Sequence, residues 1–173
     1  PGGRPWPPPL PLAFTPRARV IDARMARPTR DFFDQEGEDR FREIEQSVID
    51  ELTQRDDQVL ATGGGAVLRP SNRDALHSRT HVLYLRASAE ELARRLRHDT
   101  QRPLLQVADP LQRLRELFRE RDPLYRRTAH FVIEAARPSV PALLNMAMMQ
   151  LEVAGLVDPA RAPAAAAGRA EAE

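Results

Sequence analysis

The stretch QVLATGGG, residues 58–65, is a short apolar run that ends in three consecutive glycines. The run has the length and apolar content of a buried β-strand. Glycine has no Cβ, so the backbone that follows this strand is open to close approach by another group. In open α/β sheets, ligands bind at the carboxyl ends of the strands. The stretch therefore predicts a small-molecule site at Gly63, Gly64 and Gly65, here called the glycine turn, although a tight turn without a ligand fits the same pattern.

Directly upstream, residues 38–54 have the apolar spacing of an amphipathic helix. The apolar positions, at spacings of three, four and seven residues, are Phe41, Ile44, Val48, Ile49 and Leu52. Arg42 and Glu45 lie three residues apart on this helix and share a face. We predict that Arg42 supplies positive charge to the glycine turn. The alternative is an exposed ion pair of little energetic weight.

Downstream, strands and helices alternate. Further strands are predicted at residues 81–85 and 131–133, and helices at residues 89–97, 111–121 and 140–151. The helix at 111–121 is expected to end before Pro123, because the residue before a proline disfavours helical geometry. Strands that alternate with helices predict an α/β fold, in which helices cover both faces of a parallel sheet.

The chain is predicted to hold one domain between two unlike ends. Seven of the chain's 16 prolines lie before residue 17, and residues 1–30 show no clean helical or strand period. We interpret residues 1–30 as a Pro/Arg-rich leader that is disordered or poorly packed. The domain is expected over residues 31–157, and residues 158–173 are expected to form a disordered, Ala-rich tail.

Composition excludes several classes of protein. The 173 residues include no cysteine, which excludes a disulfide framework, and no apolar run of membrane-spanning length. The formal net charge is +1, and few aromatic side chains are present, so a nucleic-acid-binding function is disfavoured. The sequence predicts a cytoplasmic protein without nucleic-acid or membrane partners. All 26 basic residues are arginine, so no mechanism that needs a lysine applies to this chain.

Two further groups of arginines stand beside turn or loop signals. Arg102-Pro103-Leu104-Leu105 lies in a polar stretch that we interpret as a loop or lid, and three arginines precede it, at Arg94, Arg95 and Arg97. Guanidinium groups clustered in this way suit phosphate, but an exposed helix face is equally consistent. The second group is Arg121-Asp122-Pro123-Leu124-Tyr125, for which a helix end with a favourable cation is the simpler interpretation.

Taken together and in order, these segments resemble the shikimate kinase family from about Asp31 to Leu151. The segments that carry the resemblance are Gly-Glu-x-x-Phe-Arg-x-x-Glu at 37–45, Gly-Gly-Gly-Ala at 63–66, Arg-Pro-Leu-Leu at 102–105 and Arg-x-Pro-x-Tyr at 121–125. The resemblance implies a three-layer P-loop fold of the nucleoside-monophosphate-kinase type. It also implies transfer of the γ-phosphate of ATP, with Mg²⁺, to the 3-hydroxyl of shikimate, in the biosynthesis of chorismate and aromatic amino acids. A monomer is expected.

The resemblance implies roles for individual residues. Arg42 and Arg121 match the arginines that hold the substrate carboxylate, and Glu45 matches a carboxylate that supports the pocket. The glycine turn matches the backbone that approaches the ring hydroxyls. Arg102 matches a catalytic lid arginine that reaches the transferring phosphate. The nucleotide side is matched by Arg95, Arg102, Pro103 and Arg137.

The sequence departs from the family at its beginning. It contains no Gly-x-x-x-x-Gly-Lys-Ser/Thr loop, which binds phosphate, and no Asp-x-Asp segment, so no metal ligand is identified. The strand before that loop is central in the family's sheet, and we expect it to be missing here. One hypothesis is a truncated or frame-altered shikimate kinase that is inactive as written. The alternatives are a non-catalytic shikimate-binding pseudokinase and an Arg-rich nucleic-acid binder.

Overall fold

The computed structural model describes residues 13–25, 29–56, 58–96, 107–135 and 139–157. These residues belong to two compact units. The larger lies within Leu10–Ala136, and the smaller, within Pro1–Pro9 and Arg137–Glu173, is described only over residues 139–157.

Strands and helices alternate along the larger unit. Its elements, in chain order, are β1 (Ala13–Pro16), α1 (Arg17–Met25), α2 (Thr29–Leu52), β2 (Gln58–Ala61), α3 (Pro70–Arg79), β3 (Leu83–Arg86), α4 (Ala89–Arg95), α5 (Pro110–Thr128) and β4 (Phe131–Glu134). The smaller unit contributes α6 (Val140–Val153). The predicted strands are present as β2, β3 and β4, and the predicted helices as α2, α4, α5 and α6. Their ends differ from the predicted ones by a few residues, except that α2 begins well before residue 38 and α5 continues well beyond residue 121.

The strands form two parallel pairs. Strand β1 pairs with β2, with Phe14 opposite Val59, and β3 pairs with β4, with Tyr84 opposite Val132. Parallel pairing is as predicted, but the expected single sheet is divided. No strand among the described residues joins the two pairs, so β2 and β3 each keep one edge without a described partner. This is the arrangement expected when no strand lies between β2 and β3.

Part of the expected leader belongs to the folded unit. Residues 13–25 form β1 and α1, and Ile21 of α1 is only 1% exposed. The apolar cluster around Ile21 is completed by Phe32, Phe41, Val48 and Leu52. The expectation of poor packing is therefore wrong for this segment. Prolines and a missing period are signals from neighbouring residues, whereas β1 is stabilised by pairing with a strand about 45 residues later.

Helix α2 is interrupted at Gly37, directly before the start of the predicted helix at residue 38. The backbone of Gly37 has φ 81° and ψ 170°, which is not helical. Only glycine adopts this conformation readily, because a Cβ would clash with the backbone. The longer helical segment after Gly37 presents Phe41, Val48 and Leu52 to the core, as its spacing predicts.

Helix α5 does not end before Pro123. It continues to Thr128 and contains Pro123 within it. Proline removes one helical hydrogen bond and normally kinks or ends a helix. Contacts made by Asp122, described below, hold this region in place. The predicted end of the helix is therefore wrong, and Arg121 and Tyr125, four residues apart, lie on one helix face.

Helix α6 begins at the N-cap Ser139, whose hydroxyl accepts a hydrogen bond from the N–H of Ala142 at 3.4 Å. No helix in the described part of the chain has both the length and the hydropathy of a membrane-spanning segment.

Replacing Ile21 by alanine is expected to lower the free energy of unfolding by about 2–5 kcal/mol, because it leaves a cavity in a closed core. Urea unfolding followed by circular dichroism measures the change. The control is Arg24→Ala on the same helix, since Arg24 is exposed and pairs at the surface with Glu51. Equal, small effects of both substitutions would contradict the assignment of α1 to the core.

Three histidines gather at the amino ends of β3 and β4. The rings of His77 and His130 are stacked with centroids 4.4 Å apart, and His81 meets His130 edge-on at 5.9 Å. The Nδ1 of His130 accepts a hydrogen bond from the N–H of Val82 at 3.1 Å. Burial, with the two neighbouring imidazoles, lowers the pKa of His130 below its usual 6.5.

Stability is expected to fall as the pH drops through about 6.5, because His130 binds a proton more readily in the unfolded chain than in the folded one. Thermal unfolding at pH 8 and pH 5.5 measures this loss. In His130→Asn the amide oxygen can accept from Val82 without titrating, so the pH-dependent loss should be smaller. An identical loss in both proteins would assign the acid sensitivity to other groups.

Candidate functional site

The glycine turn follows β2 directly. Hydrogen bonds within the chain close it: the N–H of Ala66 donates to the carbonyl of Gly63 and the N–H of Leu68 to that of Gly65, each at 3.1 Å. The turn thus lies at the carboxyl end of a parallel strand, as predicted. Side chains from two helices approach it, one from α2 and the other from α5.

Arg42 approaches the turn from α2. A Cβ at Gly65 would lie 2.9 Å from both Cζ and Nη2 of Arg42 and closer still to Nη1, so the absence of a side chain at Gly65 makes room for this guanidinium. Arg42 donates from Nη1 to Glu45 at 2.7 Å, and from Nη2 and Nε to one oxygen of Glu38 at 2.9 and 3.2 Å. The guanidinium of Arg42 thus lies beside Gly65, where positive charge was predicted.

Glu45 is completely buried, whereas Glu38 is 62% exposed. The exposed-ion-pair interpretation of Arg42 and Glu45 is therefore wrong. A buried carboxylate needs charged and hydrogen-bonding partners, and Arg42 is one of them at 2.7 Å. Since Glu45 is fixed in the core, it holds the guanidinium of Arg42 beside Gly65.

Helix α5 supplies the second approach. The hydroxyl of Tyr125 donates to the carbonyl of Gly64 at 2.6 Å, and Nη1 of Arg121 donates to the same oxygen at 3.3 Å. The Nε of Arg121 is buried and has no hydrogen-bond partner within the part of the chain that the structure describes. A buried N–H without a partner is unfavourable and is satisfied when a ligand or water accepts from it.

Asp122 anchors this part of α5 to β3. Its carboxylate accepts from Nε of Arg86 at 2.7 Å and from the hydroxyl of Tyr84 at 3.1 Å, and it pairs with Arg126 at 3.0 Å. Burial opposes its charge, but the hydrogen bonds from Arg86 and Tyr84 outweigh burial and lower the pKa of Asp122. Asp122 is therefore ionised at neutral pH and ties the centre of α5 to β3.

The predicted substrate-side residues come together, whereas Arg95, which the described residues include from the predicted nucleotide side, does not enter this cluster. Arg95 ends α4, where its Nη2 donates to the carbonyl of Ala135 just beyond β4. This contact ties α4 to β4 and does not involve the glycine turn. The other predicted residues, Arg102, Pro103 and Arg137, lie outside the described residues.

Sequence reasoning assigned no role to Tyr125 or Asp122, although both lie in a quoted motif. The signal that could have found Tyr125 is its spacing of four from Arg121, which places both on one face of a continuous helix. Pro123, which lies between these two residues, indicates the end of a helix and so hides their shared face in the sequence. Tyr84 and Arg86, which bind Asp122 from β3, could be found only from the pairing of distant segments.

The arrangement suits a small anion. Two guanidinium groups, from Arg42 and Arg121, approach adjacent glycines at the end of a strand. Arginine keeps its charge and offers forked donors that match a carboxylate. Fold and site therefore define a class: a parallel α/β protein in which two arginines approach a glycine turn at a strand's carboxyl end.

Comparison with known proteins identifies the family. The model of the family described as Shikimate kinase matches residues 10–152. A shikimate kinase of Paracidovorax citrulli is 55% identical over 153 residues, covering 87% of this chain and 84% of the relative. One from Burkholderia thailandensis is 56% identical over 137 residues, covering 79% and 74%. The chain belongs to the shikimate kinase family, and the resemblance stated from its motifs is confirmed.

Solved structures confirm the fold. The shikimate kinase of Acinetobacter baumannii in complex with shikimate is 38% identical, with a TM-score of 0.75, covering 85% of this chain and 82% of that one. The shikimate kinase of Aquifex aeolicus, at 23% identity and a TM-score of 0.71, supports the fold alone. The family match begins at residue 10, which is 21 residues before the predicted start at Asp31.

Glu45→Ala is expected to lower the free energy of unfolding by about 3–5 kcal/mol, because it removes one member of a buried ion pair. Glu38→Ala removes the other carboxylate that binds Arg42, but from an exposed position, so the loss should stay below about 1 kcal/mol. Urea unfolding of the two variants measures the difference. Losses of similar size would show that burial of Glu45 does not govern the position of Arg42.

Proposed function

We propose that this chain provides the shikimate-binding side of a shikimate kinase site, at the glycine turn between Arg42 and Arg121. Members of this family transfer the γ-phosphate of ATP to the 3-hydroxyl of shikimate, as the resemblance implies. The observation that carries the proposal is the approach of two arginines, from separate helices, to consecutive glycines. The similar Acinetobacter baumannii protein was solved with shikimate bound.

In this proposal the carboxylate of shikimate replaces Glu38 as a partner of Arg42, while Glu45 keeps its own contact. Arg42 is largely buried, and a planar carboxylate fits the edge formed by its Nε and Nη2 atoms. Glu38 occupies that edge through a single oxygen, and its exposure allows it to be displaced. The unpartnered Nε of Arg121 supports a second contact to the anion.

The glycine turn orients the ring of the substrate. Arg42 and Tyr125 fill the space left by the missing Cβ at Gly65 and Gly64, so ring hydroxyl groups would meet backbone N–H and C=O groups of the turn on its remaining open side. Binding at one end by arginines and along the ring by backbone fixes the 3-hydroxyl in space. Such orientation is a substantial part of catalysis in phosphoryl transfer.

Family membership implies ATP and Mg²⁺ as the phosphate donor and its metal. Within the described residues, no group of three His, Cys, Asp or Glu side chains could hold a metal ion. The sequence also has no lysine and no Gly-x-x-x-x-Gly-Lys-Ser/Thr. The described residues therefore provide no magnesium site, and the sequence provides no lysine for the phosphates.

The remaining assignments rest on the resemblance. We propose that Arg102 contacts the transferring phosphate and that Arg95, Pro103 and Arg137 lie on the nucleotide side. Location in the cytoplasm, a monomeric state and the absence of nucleic-acid partners stay predictions.

Arg42→Ala is expected to weaken shikimate binding by about tenfold or more, because it removes charged hydrogen bonds to the carboxylate. Titration calorimetry of the full chain with shikimate measures the dissociation constant. Arg40→Ala is the matched control, since Arg40 is an exposed arginine on the same helix and pairs with Glu43 at 2.6 Å. Its affinity should equal that of the unchanged chain.

No heat at millimolar shikimate in the unchanged chain would contradict the proposal, as would equal losses in Arg42→Ala and Arg40→Ala. Addition of ATP and Mg²⁺ then distinguishes a chain that phosphorylates shikimate from one that only binds it. Formation of shikimate 3-phosphate shows that the chain performs the transfer itself. Binding without phosphorylation favours the non-catalytic alternative.

A further inference from the structure

Tyr125 makes the shortest contact to the glycine turn from α5. Its hydroxyl lies 2.6 Å from the carbonyl oxygen of Gly64, against 3.3 Å for Nη1 of Arg121. A Cβ at Gly64 would lie only 3.1 Å from the Tyr125 hydroxyl. The phenol therefore packs against bare backbone, and its geometry is that of a strong neutral hydrogen bond.

The ring of Tyr125 has little freedom to leave this position. It stacks on the ring of Tyr84, with centroids 4.8 Å apart and planes inclined by 25°. Tyr84 is itself fixed, because its hydroxyl donates to Asp122, which Arg86 also binds. Tyr84 of β3 thus packs against one face of the Tyr125 ring, while the Tyr125 hydroxyl faces the glycine turn.

Both phenols keep their protons at neutral pH. Burial raises the pKa of Tyr125, and the nearby Arg121 only partly offsets this. Burial and the hydrogen bond to Asp122 raise the pKa of Tyr84. Each hydroxyl is therefore a permanent donor, so the contact to Gly64 persists across the physiological pH range.

A hydrogen bond to the carbonyl of Gly64 also controls the next N–H group. The peptide unit is planar and trans, so the Gly64 carbonyl and the Gly65 N–H point in opposite directions. Glycines on both sides of this peptide impose little steric barrier to its rotation. A donor to the Gly64 carbonyl then favours one orientation, and the Tyr125 hydroxyl makes the shorter of the two contacts to this oxygen.

We infer that Tyr125 is a positioning residue of the shikimate site, whose hydroxyl sets the orientation of the Gly64–Gly65 peptide and thereby aims the Gly65 N–H. The inference rests on the proposed function for its substrate. It adds a residue that does not touch the carboxylate but acts through the backbone. Arg121 and Tyr125 then act from one helix face: one binds the anion and the other fixes the turn.

The test compares Tyr125→Phe with Thr128→Val. Phenylalanine keeps the stacked ring and removes only the donor to Gly64. Valine removes another buried hydroxyl from the same helix, one that donates to the Leu124 carbonyl at 2.8 Å and does not reach the turn. Matched losses of stability in the two variants control for general effects of deleting a hydroxyl.

Two measurements are made on each full-length variant. Carbon-13 and nitrogen-15 chemical shifts of the Gly64 carbonyl and the Gly65 amide, without substrate, report the peptide directly. Calorimetry with shikimate reports affinity. Tyr125→Phe should move both resonances and raise the dissociation constant about three- to tenfold, the usual effect of one buried hydrogen bond. Thr128→Val should leave both unchanged.

The outcomes separate the inference from the function on which it rests. If the Gly64 and Gly65 resonances do not move in Tyr125→Phe, the inference is overturned, whether or not the affinity for shikimate changes. Moved resonances with unchanged affinity overturn the link between the turn and binding. If the unchanged chain does not bind shikimate, the proposed function fails and the positioning role for that substrate fails with it, while the resonances still decide whether Tyr125 orients the peptide.

Discussion

The hydrogen bond from Tyr125 to the carbonyl of Gly64 connects the two strand pairs of the molecule. Gly64 follows β2, and Tyr125 belongs to α5, whose Asp122 is bound from β3 by Arg86 and Tyr84. In an undivided sheet, backbone ladders would join neighbouring strands directly. Among the described residues no strand bridges β2 and β3, so side chains make this connection. Those of α5 contribute to it, as does the buried cluster of Ile49, Ala66, Ala75 and Leu76, against which Leu60 and Val82 pack. The candidate site lies at the junction itself.

The close contacts at Gly64 and Gly65 also determine which residues can occupy these two positions. Helix α2 reaches Gly65 through Arg42, and α5 reaches Gly64 through Tyr125, and in each case the space is that left by a missing Cβ. A side chain at either glycine would push one helix contact away from the turn. Glycine is therefore required here for close approach, since neither residue has a positive φ. The structural connection and the proposed substrate site thus depend on the same two residues.

Local patterns in the sequence predicted a large part of this arrangement. The spacing of three between Arg42 and Glu45 placed them on one helix face, and the apolar run before the glycines gave β2. Apolar spacing predicts an element because it repeats within a few residues. Burial of Glu45 was not predictable in this way, because it depends on α1 and on segments that pack over α2.

Two features were mispredicted for related reasons. The many prolines before residue 17 indicated a disordered or poorly packed segment, yet β1 forms because it pairs with β2 about 45 residues later. Pro123 indicated the end of a helix, yet α5 continues. In both cases a rule about neighbouring residues was overridden by contacts between distant ones. Such contacts leave no period in the sequence, which is why Tyr84 and Arg86 were also missed.

The continuation of α5 through Pro123 links the position of Arg121 to β3. A proline inside a helix is unfavourable by about 3 kcal/mol, so other contacts must hold the chain there. The residue just before Pro123 is Asp122, and its partners Arg86 and Tyr84 both lie on β3. If the helix ended at this point, Tyr125 would no longer share a face with Arg121. Arg121 and Tyr125 are therefore placed together by a carboxylate whose own partners are Arg86, Tyr84 and Arg126.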